Sequence, residues 1–413
     1  MNSATAALLA LVLVCSLPAL ALAAGESGTL ADGSPTDTTG PASLEVSQHG
    51  EAFMELEGTT NRQLLDSDAD IRRGYHAPSV DFAATAKQAD DELRVDYERH
   101  AFERAFASAD DDDERAAVIE AYLDTIDDHI EALHDREEDA VAAHADGEMT
   151  DRELLNTLIR NYETANQVGL SLAELESEAA TVPGYSIDVG EERALMNRLD
   201  AHRSALRGNL AASVNADSDR SVTVETTEAG YRLSMMSNQN YYSEVVRFDH
   251  RDIDGEDRIG SASAANDYGE ELYPHAIDTS SGISVESIIH TNLYRTQIDH
   301  EQGSLDAYID GSTERVTRET QQLSTPTLPI DQEDTWTEDD LEVTLERTPG
   351  HGPAQVNVTD ADTGESVQAT ISLDGEPIGE TDEDGTHWIA QPMGAYDLAV
   401  ESDEHEVAVT VED

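Results

Sequence analysis

The residues of this chain with the most chemical potential are carboxylates and histidines. The sequence holds 88 aspartates and glutamates and 14 histidines. A helical zinc site of the His-Glu-x-x-His type needs two histidines four residues apart, whereas His129 and His134 are five apart. Because that spacing places the rings on different helix faces, we expect solvated or structural histidines and no metal site. Glycosidases use two carboxylates at a defined separation, but with so many carboxylates in this chain, two that lie close in the sequence do not predict such a site.

Two acidic runs look like parts of calcium loops. The run from Asp110 to Glu114 lacks the alternating ligands and the glycine of such a loop. Acidic side chains cap free amides at helix starts, so we expect this run to open a helix. The run from Asp382 to Gly385 is expected to be a hairpin turn. The sequence also has no Gly-x-Ser-x-Gly elbow and no phosphate loop, so we predict neither catalytic nor cofactor-binding residues, and no cofactor.

A few aromatic residues and one asparagine are the remaining candidates. Trp336, Trp388, Tyr241 and Tyr242 have the chemistry of a sugar or peptide platform, but aromatic residues are scarce here. We therefore expect core packing, particularly for Trp388 in the middle of a predicted strand. Asn357 begins an Asn-Val-Thr glycosylation acceptor inside another predicted strand, and such triplets are common by chance.

The charge balance favours a folded protein that works in concentrated salt. The net charge is −64, and Lys87 is the only lysine among the 24 basic residues. At about 1 M salt the Debye length falls to about 3 Å, which screens most of the repulsion. An acidic disordered chain is the alternative, but 38% of the residues are apolar and periodically placed. Such a surface disfavours nucleic acids and anionic membranes as partners.

The amino terminus predicts export. Residues 1–24 resemble a signal peptide that ends at Ala21-Leu22-Ala23, although no Lys or Arg precedes the apolar run. A retained membrane anchor is the alternative. Cys15 is the only cysteine and would leave with the signal, so a disulfide framework is excluded from the mature chain. Residues 25–44 are rich in Gly, Ser, Thr and Pro and are expected to be a flexible leader.

The predicted architecture is multidomain α+β. A small irregular segment, 45–82, precedes an antiparallel helical hairpin or bundle over 83–182, in which apolar residues recur at helical spacing. Gly147 and the capping box from Thr150 to Glu153 mark its turn. Gly169, followed by a second possible box at Ser171, leaves open whether the third helix breaks there.

An α+β region is expected over 185–323. One helix over 191–210 precedes strand candidates over 221–225, 231–235 and 242–248. A second helix, over 264–276, precedes a strand over 287–298 and further strands over 304–309 and 314–321. The order suggests two related units, and the hairpin at Asp310-Gly311 resembles the end of PepSY-type modules. Residues 324–337, with Pro326 and Pro329, are expected to be a linker.

Residues 338–413 show strand patterning with a turn every eight to twelve residues. The runs 358–364, 373–375, 378–385 and 392–396 resemble the carboxypeptidase regulatory-like, transthyretin-like β-sandwich, which implies an Ig-like or prealbumin-like accessory domain without catalysis. The whole chain resembles a family of secreted haloarchaeal proteins that supplies no functional residues.

We therefore expect a non-enzymatic extracellular or cell-surface protein with a binding or structural role. Its partners would be a protein or glycan of the cell envelope, and the helical hairpin offers a route to self-association. A secreted hydrolase, acting on peptides or polysaccharides, or a regulator of one, is the alternative. A deep pocket with converging carboxylates or histidines would favour the enzyme.

Overall fold

The computed structural model describes residues 53–66, 68–77, 79, 81–214, 221–289, 291–338, 340–402 and 405–412. The predicted signal peptide and leader, and residues 45–52, lie outside these ranges. Among the described residues, no helix has the length and apolar character needed to cross a membrane. The predicted small segment contains three short strands: β1 Phe53–Met54, β2 Arg62–Gln63 and β3 Arg72–His76.

The predicted helical region forms three helices that all contact one another: α1 Phe82–Ser108, α2 Asp112–Ala145 and α3 Asp151–Ala179. Asp111 caps α2, which confirms the capping role of the acidic run. Thr150 and Glu153 form the predicted capping box, and Gly147 has a φ of +79° in the preceding turn.

The possible break at Gly169 does not occur, because α3 continues through that residue. A glycine costs a helix about 1 kcal/mol relative to alanine. Here the flanking Val168 and Leu172 are buried in the bundle core, which compensates for that cost. The absence of a side chain also leaves room for Arg203, whose guanidinium would lie 2.9 Å from an added Cβ.

Next come two short helices and three strands: α4 Val189–Asp200, α5 Ala205–Val214, β4 Val222–Thr227, β5 Gly230–Ser237 and β6 Asn240–Arg247. A second group follows: α6 Ala262–Leu272, α7 Pro274–Asp278, β7 Ser280–Ile288, β8 Leu293–His300, β9 Gly303–Asp310 and β10 Arg315–Ser324. Their strands join one antiparallel eight-stranded sheet in the order β3-β4-β5-β6-β10-β9-β8-β7.

Two predictions in this region were wrong. The helix expected over 191–210 is two helices, α4 and α5, separated at 201–204. The single strand expected over 287–298 is the end of β7, a turn and the start of β8. Asn292 adopts a φ of +53° in that turn, and no glycine or proline marks it in the sequence.

The C-terminal region is a sandwich of two four-stranded antiparallel sheets, ordered β11-β12-β13-β16 and β15-β14-β17-β18. Its strands are β11 Gln332–Glu338, β12 Leu341–Arg347, β13 Pro353–Asp360, β14 Thr370–Leu373, β15 Glu376–Glu380, β16 Thr386–Ala390, β17 Tyr396–Glu401 and β18 Glu406–Val411. Residues 332–337, predicted as linker, therefore belong to the first strand. A turn at 382–385 is confirmed, but it is not the predicted hairpin, because it connects β15 of one sheet to β16 of the other.

The bundle packs on one face of the central sheet through a shared apolar core that joins α2, α3 and α5 to β4, β5 and β6. Helices α6 and α7 cover β8, β9 and β10 with a second core. The sandwich lies against β4 and β5, with a core of its own. This arrangement leaves a groove where the central sheet and the sandwich meet.

Candidate functional site

Trp388 lies in the groove between the central sheet and the sandwich. It is half-buried in β16, next to Ile389, which is fully buried in the sandwich core. Because side chains alternate along a strand, Trp388 projects from the opposite, outer face of its sheet. It pairs across the ladder with Gln355 of β13. Our prediction that Trp388 packs in the core was therefore wrong.

The Trp388 groove has a volume of about 470 Å³. Its walls come from the start of β4, the turn between β5 and β6, the segment after β10, and strands β13, β15 and β16 of the sandwich. We define it by these residues: Ser221, Thr223, Met236, Asn238, Gln239, Thr325, Pro326, Gln355, Ile378, Asp382, Thr386, His387, Trp388, Ile389 and Ala390.

Several polar side chains in this groove are available to a ligand. Within the described part of the chain, no side-chain hydrogen bond involves Asn238, Gln239, Gln355 or the indole N–H of Trp388. Each amide offers both a donor and an acceptor. The groove therefore combines one aromatic face with neutral groups that can donate and accept hydrogen bonds.

The titratable groups of the groove are already engaged or desolvated. Asp382 accepts hydrogen bonds from the backbone N–H groups of Asp384 and Thr386, each at 3.0 Å, within its own turn. Burial lowers the pKa of His387 below its usual value, so this imidazole is neutral at neutral pH. Its ring lies where Gly379 has no side chain, since an added Cβ would approach within 2.5 Å.

Hydrogen bonds fix the two walls of the groove relative to each other. The Thr223 hydroxyl donates to the carbonyl of Ala390 at 2.9 Å. Two further hydrogen bonds join the sandwich to the central sheet. The backbone N–H of Met393 donates to Glu225 at 2.8 Å, and Arg232 donates to the carbonyl of Gln391 at 3.1 Å. The groove is thus preformed rather than dependent on domain closure.

A second polar site is the buried ion cluster, formed by Glu137, Arg207, Tyr231, Glu244 and Arg318 under the bundle. Arg207 lies 2.8 Å from a carboxylate oxygen of Glu137 and of Glu244. Arg318 binds the same two carboxylates at 2.5 and 2.6 Å, and Tyr231 donates to Glu137 at 2.8 Å. All five side chains are buried. Two carboxylates therefore balance two guanidinium groups.

The electrostatics of this cluster fit a structural role. Burial alone would raise the pKa of Glu137, but Arg207 and Arg318 hold it well below the usual value. His202 contacts Glu137 at 2.9 Å, and burial lowers the pKa of this imidazole to about 4 despite that contact. Glu137 is therefore ionised and His202 neutral at pH 7, each held by its neighbours.

Two further grooves flank α4, with volumes of about 590 and 560 Å³. In the first, Arg295 binds Asp306 at 2.6 Å and Asp200 at 2.7 Å. In the second, Arg198 binds Asp127, whereas the other lining carboxylates make no ion pair with the described residues: Asp124, Glu131, Asp135 and Glu191. The Trp388 groove is the better candidate site for a neutral ligand, because uncharged hydrogen-bonding groups lie there beside a half-buried aromatic ring.

The other predicted aromatic residues pack in cores, as expected. Trp336 of β11 is half-buried and packs against the core of the sandwich. Tyr241 is fully buried, and its hydroxyl accepts a hydrogen bond from Arg232 at 3.0 Å. Tyr242 is buried between the sheet and the bundle.

The two singled-out histidines are separate. His129 bonds to Glu98, whereas His134 lies 3.8 Å from Glu138 and edge-on to Phe248. Among the described residues, no group of three or more His, Cys, Asp or Glu side chains is arranged to hold a metal ion. Asn357 donates to Glu346 at 3.1 Å, and its glycosylation stays a prediction.

Sequence reasoning missed Asn238, Gln239 and Gln355. The first two belong to the turn between β5 and β6, where Asn238 has a φ of +57°. The run Ser237-Asn238-Gln239-Asn240 between two alternating segments is a turn signal that was present in the sequence. Its position beside the sandwich was not predictable, since the partner strand is about 150 residues away.

Comparison with known proteins identifies three regions. Residues 222–329 match a family of unknown function (DUF7094), which here spans β4 to the segment after β10. Residues 332–409 match the archaeal fibronectin-III type-like domain, in agreement with an Ig-like sandwich. No curated protein and no solved structure matches the chain. Residues 1–219, more than half of the chain, match the family described as domain of unknown function (DUF7096), and the chain belongs to that family.

Proposed function

We propose that this protein is a secreted, salt-adapted binding protein that holds a neutral carbohydrate of the cell envelope in the Trp388 groove. The observation that carries the proposal is the half-buried indole beside three unpartnered amide side chains. An aromatic face packs against the C–H face of a sugar ring, while amides bond to its hydroxyl groups.

The groove suits a neutral ligand better than a charged one. Asn238, Gln239 and Gln355 are uncharged, Asp382 is occupied by its own turn, and His387 is neutral at neutral pH. Because β16 is the edge strand of its sheet and pairs only with β13, an extended peptide is the competing class of ligand. The aromatic ring beside neutral amides favours a sugar over a peptide.

The setting of this binding function is extracellular and saline. The signal-like residues 1–24 support export, and the net charge of −64 supports a haloarchaeal host. The likeness of the sandwich to carboxypeptidase regulatory-like domains supports an accessory, non-catalytic role. The paired charges of the buried ion cluster agree with a protein that binds rather than cleaves.

Fluorescence offers a direct test because the chain has only two tryptophans. In a Trp336→Phe variant, Trp388 is the single indole. We expect neutral tetrasaccharides from a panel of gluco-, manno- and chito-oligosaccharides, titrated in concentrated KCl, to shift its emission saturably. No saturable response to any sugar, or a response to peptides alone, would overturn the proposal. Release of shorter sugars during incubation would favour the hydrolase alternative.

Salt dependence tests the environment separately. Circular dichroism during stepwise dilution should report loss of structure as the Debye length rises toward about 10 Å at 0.1 M salt. Full structure retained at that ionic strength would contradict salt adaptation, but it would not bear on the proposed sugar site.

A further inference from the structure

Helix α1 carries a row of large apolar side chains in solvent. Phe82 is 88% exposed, Leu93 is 67% exposed and Tyr97 is 69% exposed. At 100° per residue, these three positions lie within about 60° of one another around the helix. Exposed apolar residues scattered singly need no explanation, but a contiguous row indicates a contact surface.

The row extends into what we call the α1 stripe. Its members share one helix face, all are exposed and none is acidic: Phe82, Ala86, Ala89, Leu93, Tyr97, His100 and Arg104. In a chain with 88 carboxylates, a solvent-facing strip of seven residues without an acid stands apart from its surroundings. The strip is about 33 Å long at 1.5 Å per residue.

Arg104 adds an independent observation. Within the described residues this guanidinium makes no ion pair, and it donates only to the carbonyl of His100, at 3.3 Å. Arg99, just over one turn earlier, contacts Asp96, Glu103 and Glu174. A cation on an acidic protein that lacks a carboxylate partner is available for an external one.

We infer that the α1 stripe is the interface between two copies of this chain, packed antiparallel about a twofold axis at Leu93. In such an isologous pair, each residue faces the position whose number completes 186. Leu93 then meets Leu93 of the other copy. Ala89 meets Tyr97, Ala86 meets His100, and Phe82 meets Arg104.

This register is self-complementary in size. Each alanine faces a ring, which is the small-to-large packing that two helices need for close approach. Arg104 lies over the exposed ring of Phe82, a favourable cation–π geometry that gives the unpaired guanidinium a partner. On one flank, Asp90 comes close to Arg94 of the other copy, which also pairs with Asp91 of its own chain. On the other flank, Glu92 comes close to Asp96 of the other copy, 188 being within two residues of the register sum, so salt must screen this repulsion.

Net charge sets the conditions for the pairing. Each copy carries −64, so association needs salt that shortens the range of repulsion. A single strip of this length lies at the low end of specific interfaces. The dimer should therefore form reversibly, in concentrated salt and at high protein concentration.

Two leucines of equal exposure provide a matched test. Leu93 is 67% exposed on the stripe, and Leu170 of α3 is 66% exposed away from it. In concentrated KCl, sedimentation equilibrium should give a dimer mass for the wild type and for Leu170→Asp. Leu93→Asp should remain monomeric over the same concentrations, with unchanged circular dichroism. A monomeric wild type, or the same mass change for both variants, would overturn the inference.

Cross-linking tests the orientation. Starting from Cys15→Ser, which leaves no cysteine, Ala89→Cys and Tyr97→Cys are prepared as separate proteins. Oxidation should yield covalent dimers in the mixture of the two, because positions 89 and 97 face each other only across the antiparallel pair. Dimers from Ala89→Cys alone would indicate a parallel pair. That result, or no covalent dimer in the mixture, would contradict the proposed register.

Discussion

The buried ion cluster and the Trp388 groove lie on opposite faces of the same sheet and differ in how their polar groups are satisfied. In the cluster, Glu137 and Glu244 share two guanidinium groups, and water is excluded. In the groove, Asn238, Gln239 and Gln355 make no side-chain hydrogen bonds to the described residues. The charges of the cluster are matched, although Arg207 Nη1 has no hydrogen-bond partner among the described residues. Matched buried charges hold a fold together, whereas side chains without a protein partner in an open groove can bind a ligand.

Strand β10 carries a charged residue on each face of the sheet, one in ion pairs and the other held by hydrogen bonds. Arg318 faces the bundle and joins the cluster, whereas Glu319 faces the other side. Glu319 accepts hydrogen bonds from the Tyr273 hydroxyl at 2.7 Å, the Gln63 backbone at 3.1 Å and the Gln321 amide at 2.8 Å. Burial outweighs these hydrogen bonds, and Glu319 makes no ion pair with the described residues, so its pKa rises to about 7.

The largest loss of stability is expected when one carboxylate is removed from the buried ion cluster. Glu244→Gln leaves Arg207 and Arg318 with one carboxylate between them. Removing one partner from a buried ionic network costs about 3–5 kcal/mol of the free energy of unfolding. Urea unfolding in concentrated KCl measures this cost, and Glu228→Gln in an exposed turn serves as the control. A loss below about 1 kcal/mol in Glu244→Gln would show that the cluster is not a stabilising unit.

The next effect is a change in the free energy of unfolding with pH, which comes from Glu319 on the sheet face away from the bundle. The folded protein keeps the Glu319 proton up to pH about 7, whereas the unfolded chain releases it near 4.5. The stabilisation from this group is therefore complete below pH about 4.5 and is lost as pH rises through about 7, amounting to about 3 kcal/mol.

Histidines with lowered pKa values, such as His202, act in the opposite sense over the same range. The contribution of Glu319 is therefore the difference in unfolding free energy between the wild type and Glu319→Gln, measured from pH 4.5 to 8. This difference should fall as pH rises. A flat difference would mean that Glu319 is ionised in the folded state.

The two tryptophans give the third contrast, between a core and a groove. Trp336→Ala removes a half-buried ring that packs on the sandwich core and should cost about 2 kcal/mol. Trp388→Ala removes a ring from the outer face and should cost less than about 1 kcal/mol. Chemical unfolding of both variants tests this order, and equal losses would place Trp388 in the core after all.

The sequence predicted features that depend on neighbours along the chain. The capping residues Asp111 and Thr150, and the turn at Gly147, follow from local hydrogen bonding and backbone conformation. The turn at Asp382 and the strand alternation of the sandwich follow for the same reason.

What escaped prediction depends on contacts between distant parts of the chain. Glu137 and Arg318 are 181 residues apart, and nothing distinguishes Glu137 among 88 acids before folding. The direction in which Trp388 points depends on which face of β16 meets the sandwich core, so its strand alone could not decide it. The proline-containing stretch before β11 suggested a linker, yet its second half pairs with β12. These contacts are determined by strand register and by how the layers pack, which local sequence patterns do not show.

The central claim is that Trp388 and its neighbouring amides form the binding site. Titration calorimetry in concentrated KCl, with the neutral oligosaccharide that gives the largest fluorescence response, should be run on the wild type, Trp336→Phe, Gln355→Ala and Trp388→Ala. We predict at least a tenfold loss of affinity for Trp388→Ala, about 1.4 kcal/mol, a smaller loss for Gln355→Ala, and unchanged binding for Trp336→Phe. Undiminished sugar binding by a folded Trp388→Ala protein would contradict the account.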